Sequence, residues 1–342
     1  MRELNAPNAE AAARLLELIQ MRLVSAAVHV AAALGVAELL ADAPMTAERL
    51  AQATGVNASA LGRVIRALVR FEVFSEDSAG RFALAPLGKF LQRDRAGSLH
   101  PAALFFGGDV GRKTVSLLLE CVTTGESAPQ KLSGASWIDW LQADPKQTEL
   151  FNATMTSFAA LHFSGVLQAY DFSYATKLVD VGGGHGRMIA EILKHHPGMK
   201  GVLFDMPHAF DGGQRTIGQN GLADRCEIVS GDFFVAVPGG ADAYLLSRVI
   251  HDWDDEKAVA ILRVIRRAVV PQGRLVLLET MLRPAGRVYP VLSDLNMLIV
   301  TGGRERTEEE YRALYRTAGF ELTRAVATES PTGTTVIEGR PM

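Results

Sequence analysis

The run Leu178-Val179-Asp180-Val181 leads straight into Gly182-Gly183-Gly184-His185-Gly186. An apolar β-rich stretch that ends in four glycines among five residues constrains the fold more than any other feature of this chain. Glycines permit positive φ and let the backbone approach a ligand without a Cβ in the way. In open α/β sheets, ligands bind beyond the carboxyl ends of the strands, where such a loop sits. From Thr176 onward, short β-rich runs alternate with amphipathic stretches: Lys177–Val181, Gly201–Asp205, Cys226–Val229, Ala243–Leu246 and Arg274–Glu279 are the strands, with helices such as Arg187–His195 and Glu256–Val269 between them. The alternation predicts a doubly wound, Rossmann-like parallel sheet. Phe320–Ala327 and Thr334–Gly339, joined by Pro331-Thr332-Gly333, read as an antiparallel terminal hairpin.

The chain has 342 residues, which suits two domains better than one. The first part is mainly helical. From Ala9 to Leu40, Leu15, Leu18, Ile19, Leu23, Ala26, Ala27 and Val30 recur at helical spacing, up to a stop at Asp42-Ala43-Pro44. A helix apolar on both faces needs a partner chain. Thr46 caps a short helix, Asn57 caps a second one bearing Leu61, Val64, Ile65 and Leu68, and a hairpin follows around Asp77 to Gly80; that order is a winged helix. A later helix starts at Asp144-Pro145 and runs through Phe151, Met155, Phe158, His162 and Val166. The expected division is residues 1–97 for a helical winged-helix dimerisation domain, 98–170 for a helical linker region and 171–342 for the catalytic domain.

A net charge of −3 gives no bulk reason to expect nucleic acid or a membrane surface. Glu3, Glu10, Arg14 and Glu17 precede any apolar run, which argues against a signal peptide, and no uncharged apolar stretch has the length of a bilayer span. The expected location is the cytoplasm. Cys121 and Cys226, far apart, read as two buried thiols.

The glycine loop reads acid-x-Gly-x-Gly-x-Gly, because Arg187 stands where a dinucleotide fingerprint wants its last small residue. Gly182 and Gly184 are candidate cofactor contacts, and Asp180 suits the ammonium of a nucleoside that lacks a pyrophosphate. Asp205 closes the next strand, where an acid accepts ribose hydroxyls. Asp232 follows the third strand, where a carboxylate accepts an adenine amino group and Phe233 covers the ring. Each acid alone reads equally well as a cap or turn residue; three at successive strand ends do not. Past the fourth strand lies Ser247-Arg248-Val249-Ile250-His251-Asp252-Trp253. His251 stands where an acceptor would meet the cofactor. A phenol with pKa of about 10 needs a base near 6.5 to take its proton as it attacks. Glu279 and Glu305 are the candidate carboxylates to orient that base.

In order along the chain, Val179–Gly186, Phe204-Asp205-Met206-Pro207-His208, Gly231-Asp232-Phe233-Phe234, Ile250-His251-Asp252-Trp253 and Gly303-Arg304-Glu305-Arg306-Thr307 resemble the plant-type caffeic-acid and flavonoid O-methyltransferases and their bacterial relatives in antibiotic and phenazine tailoring. The resemblance covers essentially the whole chain. It implies S-adenosyl-L-methionine as cofactor and S-adenosyl-L-homocysteine as product. It implies a homodimer of interlocked N-terminal helices whose partner helps close the pocket, and a small phenolic or polycyclic natural product as acceptor. His251 becomes the general base between Glu279 and Glu305. Cofactor contacts fall at Gly182, Asp205, Asp232, Phe233, Ser247 and Arg248, with Trp253 near the adenine. Met155, Phe158, His162, Asp294, Asn296 and Met297 line the pocket. No metal is implied, since the sequence shows no clustered set of hard ligands. Plant members carry a lysine four residues before the base, where this chain has Ser247.

Other readings remain open on the residues. Arg63, Arg66 and Arg70 would let the winged helix meet DNA phosphates, although Glu76 and Asp77 sit where a wing should be basic. A nicotinamide oxidoreductase could use the same sheet. N-methylation, decarboxylation and hydroxylation are alternatives on the same fold.

Overall fold

The computed structural model describes residues 6–342, apart from the side chains of Ala6, Pro7 and His208; Glu3, part of the N-terminal charge pattern, lies outside them. The chain forms two compact units that interleave in sequence, Met1–Ser116 with Leu141–Phe158, and Leu117–Trp140 with Ala159–Met342.

In the first unit the single helical run expected from Ala9 to Leu40 is two helices, α1 (Ala6–Ala33) and α2 (Val36–Leu39). Gly35 separates them at φ 63°, a left-handed conformation that a side chain disfavours. α3 (Ala47–Thr54) starts where the Arg49 N–H donates to Thr46 Oγ1 at 3.4 Å. α4 (Ala58–Val69) starts where the Ala60 N–H donates to Asn57 Oδ1 at 2.9 Å; each such cap is worth about 1 kcal/mol. β1 (Phe74–Glu76) and β2 (Phe82–Leu84) form the antiparallel wing. Leu50, Leu61, Ile65, Leu68, Phe74 and Phe82 make its core. Arg66 donates to Glu76 at 3.3 Å and Arg81 pairs with Asp77 at 2.8 Å, so the acids of the wing engage its neighbouring cations. α5 (His100–Gly107) and α6 (Asp109–Ser116) complete this unit with the first turns of α10 (Pro145–His162).

Within this unit α1 leaves Leu15, Leu16, Leu18, Ile19 and Leu23 more than half exposed. It is also long and apolar enough to cross a membrane, with mean hydropathy 1.4 over an 18-residue window within Asn8–Ala33, a length not expected above because only uncharged stretches were counted.

The second unit holds α7 (Leu118–Thr124), α8 (Ala128–Ser133), most of α9 (Trp137–Gln142) and α11 (Val166–Ala169). The helix expected to run from Pro145 through Val166 instead ends at His162, because Gly165 adopts φ 77° before α11. A seven-stranded sheet follows in the order β5-β4-β3-β6-β7-β9-β8. β3 (Lys177–Val181), β4 (Lys200–Asp205), β5 (Cys226–Ser230), β6 (Ala243–Ser247) and β7 (Arg274–Thr280) are parallel, while β8 (Phe320–Ala327) and β9 (Thr334–Pro341) add the antiparallel pair. α12 (Arg187–His195), α13 (Phe210–Gln219), α14 (Asp255–Ala268), α15 (Val288–Val300) and α16 (Glu308–Ala318) complete the unit. Apolar side chains from both faces of the sheet form two cores, so the central strands are buried on both sides. The chain runs outward through β3, β4 and β5, then returns to β6 beside β3. The carboxyl ends of β3 and β6 therefore bound the crevice where the strand order reverses.

On β9, Glu338 is 3% exposed. It accepts hydrogen bonds from Tyr170 at 2.6 Å, Thr323 and Arg274 at 2.8 Å, and Arg324 at 3.0 Å. Burial pushes its carboxyl up, but these donors and the two guanidinium charges hold it down at about 2 against an ordinary 4.5. Glu338→Gln should cost about 2 kcal/mol, the scale of hydrogen bonds to a charged group. A carboxyl depressed on folding stabilises fully above its unfolded value, so the wild-type advantage in thermal melts should be complete at neutral pH and shrink as pH falls from 4.5 towards 2. On α1, replacing Leu18 and Ile19 with glutamate should shift the chain from dimer to monomer in sedimentation velocity; an unchanged dimer would put the self-association surface elsewhere.

Candidate active site

β6 ends at Ser247, and Arg248 follows at φ 57°. A non-glycine residue in that region costs on the order of 1–3 kcal/mol and persists only where its surroundings impose it. The turn leads into a single 3-10 turn, Ile250–Asp252, that carries His251. The His251 side chain is 7% exposed. Its Nδ1 lies 3.2 Å from Glu305 Oε1, its Nε2 3.1 Å from the Arg248 carbonyl oxygen and 3.6 Å from Asp252 Oδ1. Both ring nitrogens thus face acceptors, which only the imidazolium satisfies together. Burial and the Arg248 charge press the His251 pKa down, but Asp252, Glu305 and Glu279 outweigh them and leave it above 6.5.

The two expected carboxylates do different work. Glu305 Oε1 accepts from His251, from Ser293 at 2.7 Å and from Arg248 at 3.0 Å. Burial favours its neutral form, yet the Arg248 and His251 charges and these bonds hold it well below the usual carboxylate range. Glu279 Oε1 instead accepts the backbone N–H groups of Val249 and Ile250 at 3.2 and 2.9 Å, so it fixes the turn rather than the ring. Its burial pushes its carboxyl upward. Arg248, proposed from sequence as a cofactor contact, sends its guanidinium to Glu305, to Ser293 at 3.3 Å and to within 3.9 Å of Glu279. The fold also gathers what the sequence did not display: ligand atoms of His251, Glu279 and Glu305 lie within 4.8 Å of one another. The guanidinium beside both carboxylates supplies the positive charge that a metal would bring.

The cofactor candidates line the strand ends. Gly182 and Gly184 take φ 68° and 56°. A Cβ on Gly182 would lie 2.8 Å from Val249, whereas one on Gly184 would meet nothing within 4 Å, so the loop is tight at its root and open at its crest. His185 of this loop packs against Gly212 on α13. Asp205 accepts from the Gly184 N–H at 2.7 Å and the Met206 N–H at 2.6 Å, which ties β4 to the loop. Asp180 is fully buried beneath Gly183, and neither oxygen has a hydrogen-bond partner among the described residues. Burial, then the charge of Asp205, lifts its pKa to about 7. Ser247 Oγ is likewise buried without a partner. Asp232 is exposed and accepts the Phe234 N–H at 2.8 Å. Phe233 and Phe234 meet Trp253 edge-on at 6.2 and 4.9 Å, an aromatic wall beside the loop. Orphaned buried polar atoms, an open glycine crest and an aromatic wall at one switch point fit an adenosyl amino acid.

The expected pocket residues divide between the two units. Met155 and Phe158 belong to the first, where Phe158 stacks on Phe106 at 5.9 Å. His162 belongs to the second, buried, with Nδ1 2.8 Å from Thr332 Oγ1; burial and the Arg248 charge hold it well below 6.5, hence neutral. The segment after β7 is a helix, α15, and its Asp294 accepts the Glu305 N–H at 2.9 Å, so it supports Glu305. Met297 is buried and Asn296 half-buried. Sequence reasoning missed Tyr289 and Ser293, one turn apart on α15 and both within the field of Arg248 and Glu305. It also missed Thr332 and Arg306. Arg306 stood in the quoted motif, but nothing in the spacing told a core cation from a surface one.

The chain matches the O-methyltransferase domain over residues 117–321 and the O-methyltransferase dimerisation domain over residues 16–94. It is 37% identical over 330 residues to a phenazine O-methyltransferase of Lysobacter antibioticus, covering 96% of each chain. The solved mitomycin 7-O-methyltransferase superposes with TM-score 0.90 at 36% identity, over 98% of this chain and 99% of that one. An O-methyltransferase of neocarzinostatin biosynthesis, solved with S-adenosylmethionine and 2-hydroxy-5-methyl naphthoic acid, gives TM-score 0.79 at 32% identity over 94% and 96%. The chain belongs to the plant-type family of S-adenosylmethionine-dependent O-methyltransferases with a dimerisation domain, in its bacterial natural-product tailoring branch.

Proposed function

We propose that the protein methylates a phenolic hydroxyl of a small fused-ring aromatic, of the hydroxyphenazine or hydroxyaryl-acid class, with His251 as general base. The observation that carries this reading is the buried His251 Nδ1–Glu305 contact at 3.2 Å, beyond the carboxyl end of β6. Bound S-adenosylmethionine supplies an activated sulfonium methyl for in-line displacement. The glycine loop, Asp205, Ser247 and the Phe233–Trp253 wall hold it, and Asp180 adds negative charge under the loop. Once deprotonated at Nε2 and released from the Arg248 carbonyl, His251 takes the hydroxyl proton there, and Glu305 on the far side of the ring stabilises the imidazolium that results. Arg248 keeps Glu305 ionised so that it accepts rather than donates. The neutral His162 and Tyr289 present polar edges to the acceptor from α10 and α15. The phenazine and naphthoic-acid relatives support a flat, polar-edged acceptor.

Hydroxyphenazine and hydroxynaphthoic acids are the acceptors to screen, with S-adenosylhomocysteine release as the signal; no turnover of either would remove this acceptor class. With an accepted substrate, His251→Ala should lower kcat by about 10²–10⁴-fold while calorimetric affinity for S-adenosylhomocysteine stays near wild type. A parallel loss of affinity would make His251 structural.

The base works deprotonated, so kcat should rise with pH through a midpoint above 6.5. Glu305→Gln removes a charge that favours the imidazolium and should move that midpoint down. Asp180 attracts the ammonium of the cofactor only when ionised. Affinity for S-adenosylhomocysteine should therefore strengthen as pH rises through about 7, and Asp180→Asn should flatten this dependence.

A further inference from the structure

Arg306 has no solvent-exposed side-chain area, and a guanidinium in that position is tolerated only when its donors and charge are matched. All five of its N–H groups are engaged. Nε and Nη2 donate to Asp255 Oδ1 at 2.9 and 2.8 Å, Nη1 to the carbonyls of Ile250 and Arg304 at 3.1 and 3.3 Å, and Nη2 to the carbonyl of Trp253 at 2.7 Å. Ile250 precedes His251 and Trp253 lies two residues after it, so the guanidinium brackets the turn that carries the base.

The neighbouring residues hold the same turn. The Arg304 N–H donates to the His251 carbonyl at 2.8 Å, and Glu305 meets the His251 ring. At Gly303 a Cβ would lie 2.1 Å from the His251 carbonyl oxygen, so this strip of backbone passes against the turn where no side chain fits. The strip is anchored in turn by the Leu282 N–H donating to the Arg306 carbonyl at 3.0 Å. A lone 3-10 turn has little stability of its own. Its carbonyls point where they do because an external donor meets them.

We infer that Arg306 is a positioning residue for the methyl transfer: it touches no substrate, and it sets where the His251 ring stands relative to Glu305. Through Trp253 it ties the base to the aromatic wall of the cofactor cleft. This rests on the reading of His251 as the base. Lysine keeps the charge of Arg306 but offers its donors from one nitrogen, which does not span Asp255 and three carbonyls.

The test compares wild type, Arg306→Lys, Asp255→Asn and His251→Ala, each as the full chain, in two readouts. The first is NMR titration of ¹⁵N-histidine-labelled protein, with the His251 signal assigned by its loss in His251→Ala. The wild-type midpoint is expected above 6.5, falling towards that of free histidine in Arg306→Lys as the ring leaves Glu305. The second is kcat and KM with hydroxyphenazine as acceptor. A displacement on the ångström scale costs about 10²-fold in kcat, with KM and affinity for S-adenosylhomocysteine within about threefold of wild type. Should Arg306→Lys not fold, Asp255→Asn, whose side chain is 58% exposed, should give a smaller loss in the same direction. An unshifted His251 midpoint in folded Arg306→Lys, or in Asp255→Asn, overturns the inference, as does a kcat loss that follows only the unfolded fraction. Wild-type turnover by His251→Ala would instead defeat the base reading, and the positioning role would fall with it.

Discussion

One oxygen atom, Glu305 Oε1, collects the His251 ring, the Ser293 hydroxyl and the Arg248 guanidinium within 3.2 Å. Taking that carboxylate out of water is expensive, and its three charged or polar partners offset the cost only while all of them are in place. The cluster joins three parts of the chain: Arg248 and His251 come from the turn after β6, Ser293 from α15 and Glu305 itself from the strip before α16. The charge match at this oxygen is thus also a statement about how those elements pack.

The same economy explains the strained backbone at Arg248. A left-handed arginine is unfavourable on its own, but it turns the chain so that the carbonyl of Arg248 faces His251 Nε2 while its guanidinium reaches Glu305. Glu279, buried at the end of β7, accepts the two N–H groups that the turn leaves unpaired. The parallel registers bring Ser247 opposite Leu278 and Asp205 opposite Ser230. Asp205, Ser247 and the turn that carries His251 therefore stand along one edge of the sheet, though they lie far apart in sequence.

Much of this was legible in the residues. The glycine loop, the acids at strand ends and the alternation of β-rich and helical runs depend on local rules, namely backbone freedom and side-chain period, and the sheet follows them almost residue for residue from Lys177 to Thr280. Other points were not. Gly35 and Gly165 break helices that periodicity alone continues, because the pattern of apolar residues carries on across a left-handed glycine. Asp294, expected in a pocket, also accepts the Glu305 N–H, a contact that spacing alone does not show. Glu279 lies within 4.8 Å of the ring, as expected, but its hydrogen bonds go to the backbone of the turn.

What the sequence determined by itself is the class of sheet, the family and the cofactor that goes with it, since each is written in contiguous residues at strand ends. Only the tertiary structure decided that Arg248 and Arg306, two cations 58 residues apart, are both drawn into the interior around one turn. A charge on a sequence carries no sign of its burial. That depends on whether carboxylates and carbonyls from distant segments arrive to match it, and their arrival is a property of the packed fold.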